Sequence, residues 1–292
     1  MEVGIFVPVG TGNATPTLLR ALGPAIEERG FESVWVPEHV VLFDDYESSY
    51  PYAADGRMPG GGEFGMSDPL TVLTYLAAVT DRIRLGTAIC LLPQRNPVYT
   101  AKQVADLDGL SGGRAELGVG VGWLREEFEA LNVPFGQRGA RTDDYLAVLR
   151  TLWTDAVSEH RGEHFDLPPC RMYPKPVQSP HPPILVGGET DAALRRVARH
   201  GQGWFTFDRR PDDLPEALAR LDVALAAEGR TRADVTVTAS PYLQPIDAAD
   251  VARYAELGVD RLVVVALAFD VDGMHQQLDD LAERVLAPSR TG

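Results

Sequence analysis

Lysine is almost missing from this sequence. Only Lys102 and Lys175 occur in 292 residues, and neither falls at the end of a predicted strand, so Schiff-base chemistry is excluded as the working mechanism. Basic residues as a whole are outnumbered, 27 Lys and Arg against 42 Asp and Glu, for a formal net charge of −15. That sign argues against nucleic acid and against anionic membrane surfaces as partners. Cys90 and Cys170 are the two cysteines, too few for a disulfide framework, which suits a reducing cytoplasm. No apolar run reaches the ~18 residues of a membrane span. The N-terminal MEVGIFVPVG is already strand-like and lacks the basic start of a signal peptide. No His-x-His follows the first strand and no H-E-x-x-H helix occurs. His160 and His164 sit in a Gly/Pro-rich stretch and read as solvent-exposed, so no metal is expected. No G-x-S-x-G elbow is present. What remains is a chain whose chemistry is carried by a bound cofactor acting on a small molecule.

What the sequence does contain is rhythm. Short apolar segments at 3–8, 33–37, 83–89, 114–120, 183–187, 203–207, 235–239 and 261–266 read as strands. Several, such as Leu262-Val263-Val264-Val265, are apolar on both faces, as strands of a parallel sheet are. Amphipathic segments alternate with them at 16–29, 69–80, 97–110, 140–153, 192–200, 214–228, 248–257 and 274–285. Pro16, Pro69 and Pro97 stand at helix starts, where a missing N–H costs nothing, and Gly30 and Gly258 stand just past helix ends. Eight βα units without a break in composition predict a single (β/α)8 TIM-barrel domain over residues 1–292; a doubly wound open sheet is the alternative. Two segments interrupt the rhythm. An extended loop at 38–67 follows strand two and carries Phe43, Tyr46, Tyr50, Tyr52 and Phe64; an insertion at 154–182 separates helix four from strand five.

Barrel enzymes build their sites where strands end. Strand two ends in Glu38-His39, a carboxylate beside a group able to exchange protons near neutral pH. Strand three carries Gly86-Thr87-Ala88-Ile89, small enough for a flat ring to approach or simply packed tight. Strand four ends Gly118-Val119-Gly120-Val121-Gly122-Trp123, whose spacing is not that of a dinucleotide loop. Strand five runs Gly187-Gly188-Glu189-Thr190 into a helix, an anion site of free N–H groups or an ordinary cap. Glu189 and Asp191 would repel a phosphate there unless they turn away.

The segments SVWVPEHVV, SSYPYAADGRMP, the long block from IRLGTAICLLPQ to VLRTLW, and ILVGGET with ALRRVARHGQGWF resemble the bacterial luciferase-like superfamily. More narrowly they resemble its coenzyme F420 (deazaflavin)-dependent oxidoreductases, over about residues 1–210. The resemblance implies a ring near the ends of strands two to four, with Thr87, Ala88, Ile89, Gly120 and Gly122 as contacts. It implies a non-prolyl cis peptide, which by position is Ala88–Ile89. It implies that the cofactor phosphate meets Gly187, Gly188 and Thr190, that His39 sits at the reactive face, and that the protein is a homodimer. Trp123 stands where a sugar-phosphate dehydrogenase of the group has a glutamate, leaving Glu38 or the 43–66 loop to supply a second proton. The expected activity is hydride transfer between F420 and a small organic substrate. An FMN-dependent, oxygen-using monooxygenase and a non-catalytic cofactor-binding barrel are the alternatives.

Overall fold

The computed structural model describes residues 1–290. Eight parallel strands form the barrel: β1 (Glu2–Phe6), β2 (Ser33–Val36), β3 (Arg84–Thr87), β4 (Ala115–Gly120), β5 (Ile184–Gly187), β6 (Gly203–Phe207), β7 (Thr236–Tyr242) and β8 (Arg261–Val265). Each pairs with the next, and β8 returns to β1 with Glu2 opposite Arg261 and Phe6 opposite Val265, so the sheet is closed and the open-sheet alternative falls.

The outer helices are α1 (Pro16–Arg29), α2 (Pro69–Ala77), α3 (Pro97–Ser111), α4 (Arg125–Ala130), α5 (Arg138–Thr154), α6 (Asp191–His200), α7 (Leu214–Ala227), α8 (Ala248–Glu256) and α9 (Val271–Leu281). Their starts follow local chemistry. Thr15, Asp68 and Asn96 accept from free backbone N–H groups just ahead of Pro16, Pro69 and Pro97. Gly30 closes α1 in the left-handed region at φ 81°. The six-residue α4 was not expected. The insertion holds an antiparallel hairpin, Ser158–Arg161 with Asp166–Cys170. This corrects the reading of His160 and His164 as solvent-exposed. His160 Nε2 lies 2.5 Å from Asp144 Oδ1, and His164 donates its backbone N–H to the same carboxylate.

Strand alternation sorts the core. Ile5, Val34, Leu85, Leu117, Val186, Trp204, Leu262 and Val264 face the helices, while Phe6, Trp35, Ala88, Leu185, Phe205 and Val263 face the lumen. Below them the lumen is charged. Arg261 donates to Glu116 at 3.0 and 3.1 Å and to Glu32 at 2.9 Å, and Arg84 lies 3.2 Å from Glu116. Burial alone would lower the Arg261 pKa, but Glu116 and Glu32 more than reverse that and hold it raised. The Trp35 indole fills the layer above. A Cβ on Gly86 would come within 2.3 Å of that ring, so Gly86 is there for packing.

The third strand is shorter than its apolar run. It stops at Thr87, the Ala88–Ile89 peptide is cis as the resemblance implies, and Cys90–Leu91 then rejoins β4. The break lets Ile89 turn inward as well as Ala88. A Cβ on Gly120 or Gly187 would meet Ile89 Cδ1 at 2.0 and 2.9 Å. Those two glycines therefore make room for Ile89, which lies between them and anything in the mouth.

Candidate active site

Glu38 and His39 are consecutive at the end of β2, and successive side chains of extended chain diverge. His39 faces the mouth. Glu38 turns the other way: one oxygen accepts from Leu91 N at 2.6 Å and the other from Arg95 Nε at 2.6 Å. Arg95 is shared with Asp68. Glu38 thus pins the segment after the cis peptide, and the adjacent Cys90 thiol is pushed well up by burial and by that carboxylate. With both oxygens engaged on a guanidinium and a backbone N–H, Glu38 is not placed as a second proton donor, and it makes no hydrogen bond to His39.

The carboxylate on His39 is Glu127, from α4. Its Oε2 lies 3.0 Å from His39 Nδ1 and accepts from Gln94 Nε2 at 3.1 Å; its Oε1 accepts from Val40 N at 2.6 Å. Glu127 is fully buried, with 0% of its surface exposed. On the far side of the imidazole, Trp123 Nε1 donates to His39 Nε2 at 3.3 Å. A carboxylate accepts and an indole only donates, so the neutral ring carries its proton on Nδ1 and offers Nε2 as a base. Glu127 was missed in the sequence, yet a signal was there. Leu124, Glu127, Phe128 and Leu131 fall on one helical stripe, and a carboxylate on an apolar stripe wants a partner.

The long loop closes over this group. Glu126, the neighbour of Glu127, accepts from Glu47 N at 2.7 Å and from Ser48 Oγ at 2.7 Å. Ser67 N donates to Val9 O at the loop's other root. The clasp carries Tyr50 and Tyr52 into the mouth. Tyr50 packs 5.2 Å from Trp123 and 5.4 Å from Tyr52, and Tyr52 packs 4.9 Å from Phe207. Phe207 stacks on Tyr242 at 4.6 Å, and the Tyr50 hydroxyl donates to that of Tyr242 at 3.3 Å. Burial first, then neighbouring hydroxyls, raises the Tyr50 pKa; burial and Glu189 raise that of Tyr52. Both stay protonated at any working pH.

The other expected contacts divide. Ala88 and half-buried Ile89 line the mouth. Thr87 is fully buried and donates to Gly118 O at 2.7 Å, so it supports the bulge from below. Gly120 and Gly187 lie beneath Ile89, and Gly122 turns at φ 79° over Phe128. Gly188, at φ 105°, and Thr190 lie at the rim, where Thr190 Oγ1 caps α6 by accepting from Ala193 N at 3.2 Å. Glu189 accepts from Thr206 Oγ1 and Phe207 N, and Asp191 pairs with Arg220. The two carboxylates that would repel a phosphate are therefore engaged elsewhere.

The sequence matches the family described as luciferase-like monooxygenase over residues 1–277. It is 34% identical over 268 residues to the uncharacterized protein Rv0953c of Mycobacterium tuberculosis, covering 90% of this chain and 91% of that one. The solved structure of monooxygenase RslO1 from Streptomyces bottropensis is similar with a TM-score of 0.78 at 22% identity, covering 98% of this chain and 99% of the other. The coenzyme F420-dependent tetrahydromethanopterin reductase of Methanopyrus kandleri is similar with a TM-score of 0.76 at 17% identity, covering 98% of each chain. At such identities the structural likeness shows the barrel, which hosts both kinds of chemistry. The match along the sequence shows more: this chain belongs to the luciferase-like monooxygenase family.

Proposed function

We propose that this protein is an oxidoreductase that moves a hydride between coenzyme F420 and a small organic substrate, with His39 handling the accompanying proton. The observation that carries this reading is the His39 imidazole, fixed by Glu127 on one nitrogen and presenting the other at the mouth of the barrel. The residues present fit a flat ring. The mouth is walled by Phe6, Ala88, Phe207 and Tyr242, and His39 stands on its β2 side. In that cluster the buried Gln94 Oε1 has no partner among the described residues, an acceptor available to a bound molecule.

A deazaflavin supplies two-electron hydride chemistry when bound. The chain's own residues then have separable tasks. His39 Nε2 takes a proton from a substrate hydroxyl or, once protonated, returns one to a carbonyl oxygen. Glu127 holds the tautomer and balances the charge that His39 gains. Trp123 keeps Nε2 capped by a weak 3.3 Å contact that a substrate oxygen replaces. Tyr50 and Tyr52 move aside to admit ligands, and the 43–66 loop then excludes water. The Tyr50–Tyr242 hydroxyl pair offers hydrogen bonds to a substrate oxygen on the side away from His39. Thr190 keeps a hydroxyl hydrogen free for a phosphate while its oxygen caps α6.

Parallel fluorescence titrations with F420 and FMN test the cofactor, and anaerobic single turnover tests the hydride step. Tighter binding of F420 and turnover without oxygen are expected. Binding of FMN alone, with oxygen uptake, would make the protein a monooxygenase; tight binding with no turnover over a broad substrate panel would make it a binding barrel.

A further inference from the structure

Arg125 opens α4 and Arg138 opens α5, on the two sides of the turn that contains Phe135. Their guanidinium carbons lie 4.3 and 4.0 Å from the centre of that one ring. Among the described residues neither arginine has a carboxylate within ion-pair distance. Arg95, Arg196, Arg210 and Arg261 all do. Glu126, next to Arg125 in the chain, is spent on the backbone of Glu47 and on Ser48. Arg138 is held in place by donating to Gly122 O at 3.0 Å. Its pKa is lowered, by burial and by the Arg125 charge. In a chain of net charge −15, two like charges stacked on one ring without a counterion mark a place built for an anion.

Their position says which anion. Gly122 directly follows β4 and Trp123 reaches His39, so the pair stands at the rim of the mouth outside its aromatic wall. The neighbouring strand is β5, with Gly118 opposite Leu185, and it ends in Gly188-Glu189-Thr190. The two rims are tied together, since Arg196 of α6 donates to Gly139 O at 3.0 Å, one residue past Arg138. A planar ligand seated in the mouth would extend its polar side chain across this rim. Guanidinium forks suit phosphate oxygens better than any other side chain does.

We propose that Arg125 and Arg138 complete, together with Thr190 on the adjoining rim, the seat of the phosphate on the ring cofactor's side chain. The proposal rests on the reading of the mouth as a ring site. Neither arginine touches the reacting atoms, so the pair sets affinity and leaves the chemistry to His39.

The test compares chromophores that differ in their phosphate: FMN against riboflavin, and F420 against its phosphate-free deazaflavin chromophore. Dissociation constants are read by fluorescence for wild type, Arg125→Gln, Arg138→Gln and the double variant. The wild type is expected to favour the phosphate-bearing member of one pair, which also identifies the cofactor. Each substitution should cut that preference about tenfold and the double variant about a hundredfold. Affinity for the phosphate-free chromophore should hold and so report an intact fold. Arg138→Lys, which keeps charge without the fork, should lose less than Arg138→Gln. An unchanged preference in the double variant overturns the phosphate seat and leaves the ring site standing. So does a wild type that binds both members of each pair equally. If the wild type binds no chromophore at all, the ring reading itself fails and the proposal goes with it.

Discussion

The two ends of the barrel lumen each bury a glutamate, and they treat it in opposite ways. At the floor, Glu116 lies between Arg261 and Arg84, two guanidiniums that it shares with Glu32. At the mouth, Glu127 is equally buried, but its partners are an imidazole, an amide and backbone N–H groups. The first arrangement fixes charge and cannot exchange protons at ordinary pH, because guanidinium does not titrate there. The second gives its carboxylate no guanidinium, only a side chain that faces the mouth and donors that hold it there. Glu38 belongs with the floor in this respect, since Arg95 neutralises it although it adjoins His39 in sequence. Of the two buried glutamates, only the one at the mouth holds a side chain, His39, that a bound molecule could reach.

Breaking the floor should give the largest effect, and on stability alone. Arg261→Met removes four hydrogen bonds to Glu32 and Glu116 and leaves Glu116 with Arg84. Loss of one partner from a buried pair costs about 3–5 kcal/mol. Chemical denaturation should show that loss, while cofactor affinity of the folded protein stays unchanged. A variant as stable as wild type would mean the floor network is idle.

Breaking the mouth should do the reverse. His39→Gln keeps size and hydrogen bonding but cannot titrate near neutrality. The chemical step should fall by about two orders of magnitude, with cofactor affinity within a few-fold and Tm little moved. Single-turnover rates across pH decide it. Equal rates with equal pH profiles would reduce His39 to a structural residue.

His200 sharpens the same contrast, because it is a half-buried histidine beside an arginine. Burial, then the Arg150 charge, lowers its pKa to about 4. Arg150 Nη1 lies 3.3 Å from His200 Nδ1, which must accept and so be unprotonated. The unfolded chain binds this proton at about pH 6.5 and the folded one only near 4, so stability is lost as pH falls between those values. After allowance for partial exposure the loss is about 2 kcal/mol. His200→Gln should flatten Tm over that range; an unchanged slope would assign the acid sensitivity to other groups.

The barrel itself was legible in the sequence, because eight buried strands and eight amphipathic helices impose two distinct periods. The rest was obscured for physical reasons. Pro168 and Pro169 hid the hairpin strand Asp166–Cys170, since proline disqualifies a central strand and this one lies in a two-stranded ribbon. Six residues were too few for the period of α4 to register. Gly120 and Gly187 had the small size expected of ligand contacts, yet the volume they free is taken by Ile89, from a different strand. The position of His39 at the mouth was legible from its place at a strand end. Its carboxylate was assigned to the nearest one in the chain, whereas alternation along β2 sends Glu38 outward and only tertiary packing brings Glu127 in.

That last point defines the smallest and most discriminating change. Glu127→Gln is nearly isosteric, and its amide oxygen can still accept from Val40 N, so the loop root should hold. Its amide nitrogen then faces His39 Nδ1, where a donor meets a donor unless the imidazole moves its proton to Nε2. The nitrogen at the mouth becomes a donor in the neutral ring, and the charged ring loses its stabilising carboxylate. We expect the single-turnover rate to fall about tenfold, less than for His39→Gln because the imidazole remains. Glu127→Asp, which keeps the charge and the acceptor but shortens the reach, should cost less of the rate than Glu127→Gln. A purely structural Glu127 would lower Tm in both variants and leave the single-turnover rate of the folded protein unchanged in both.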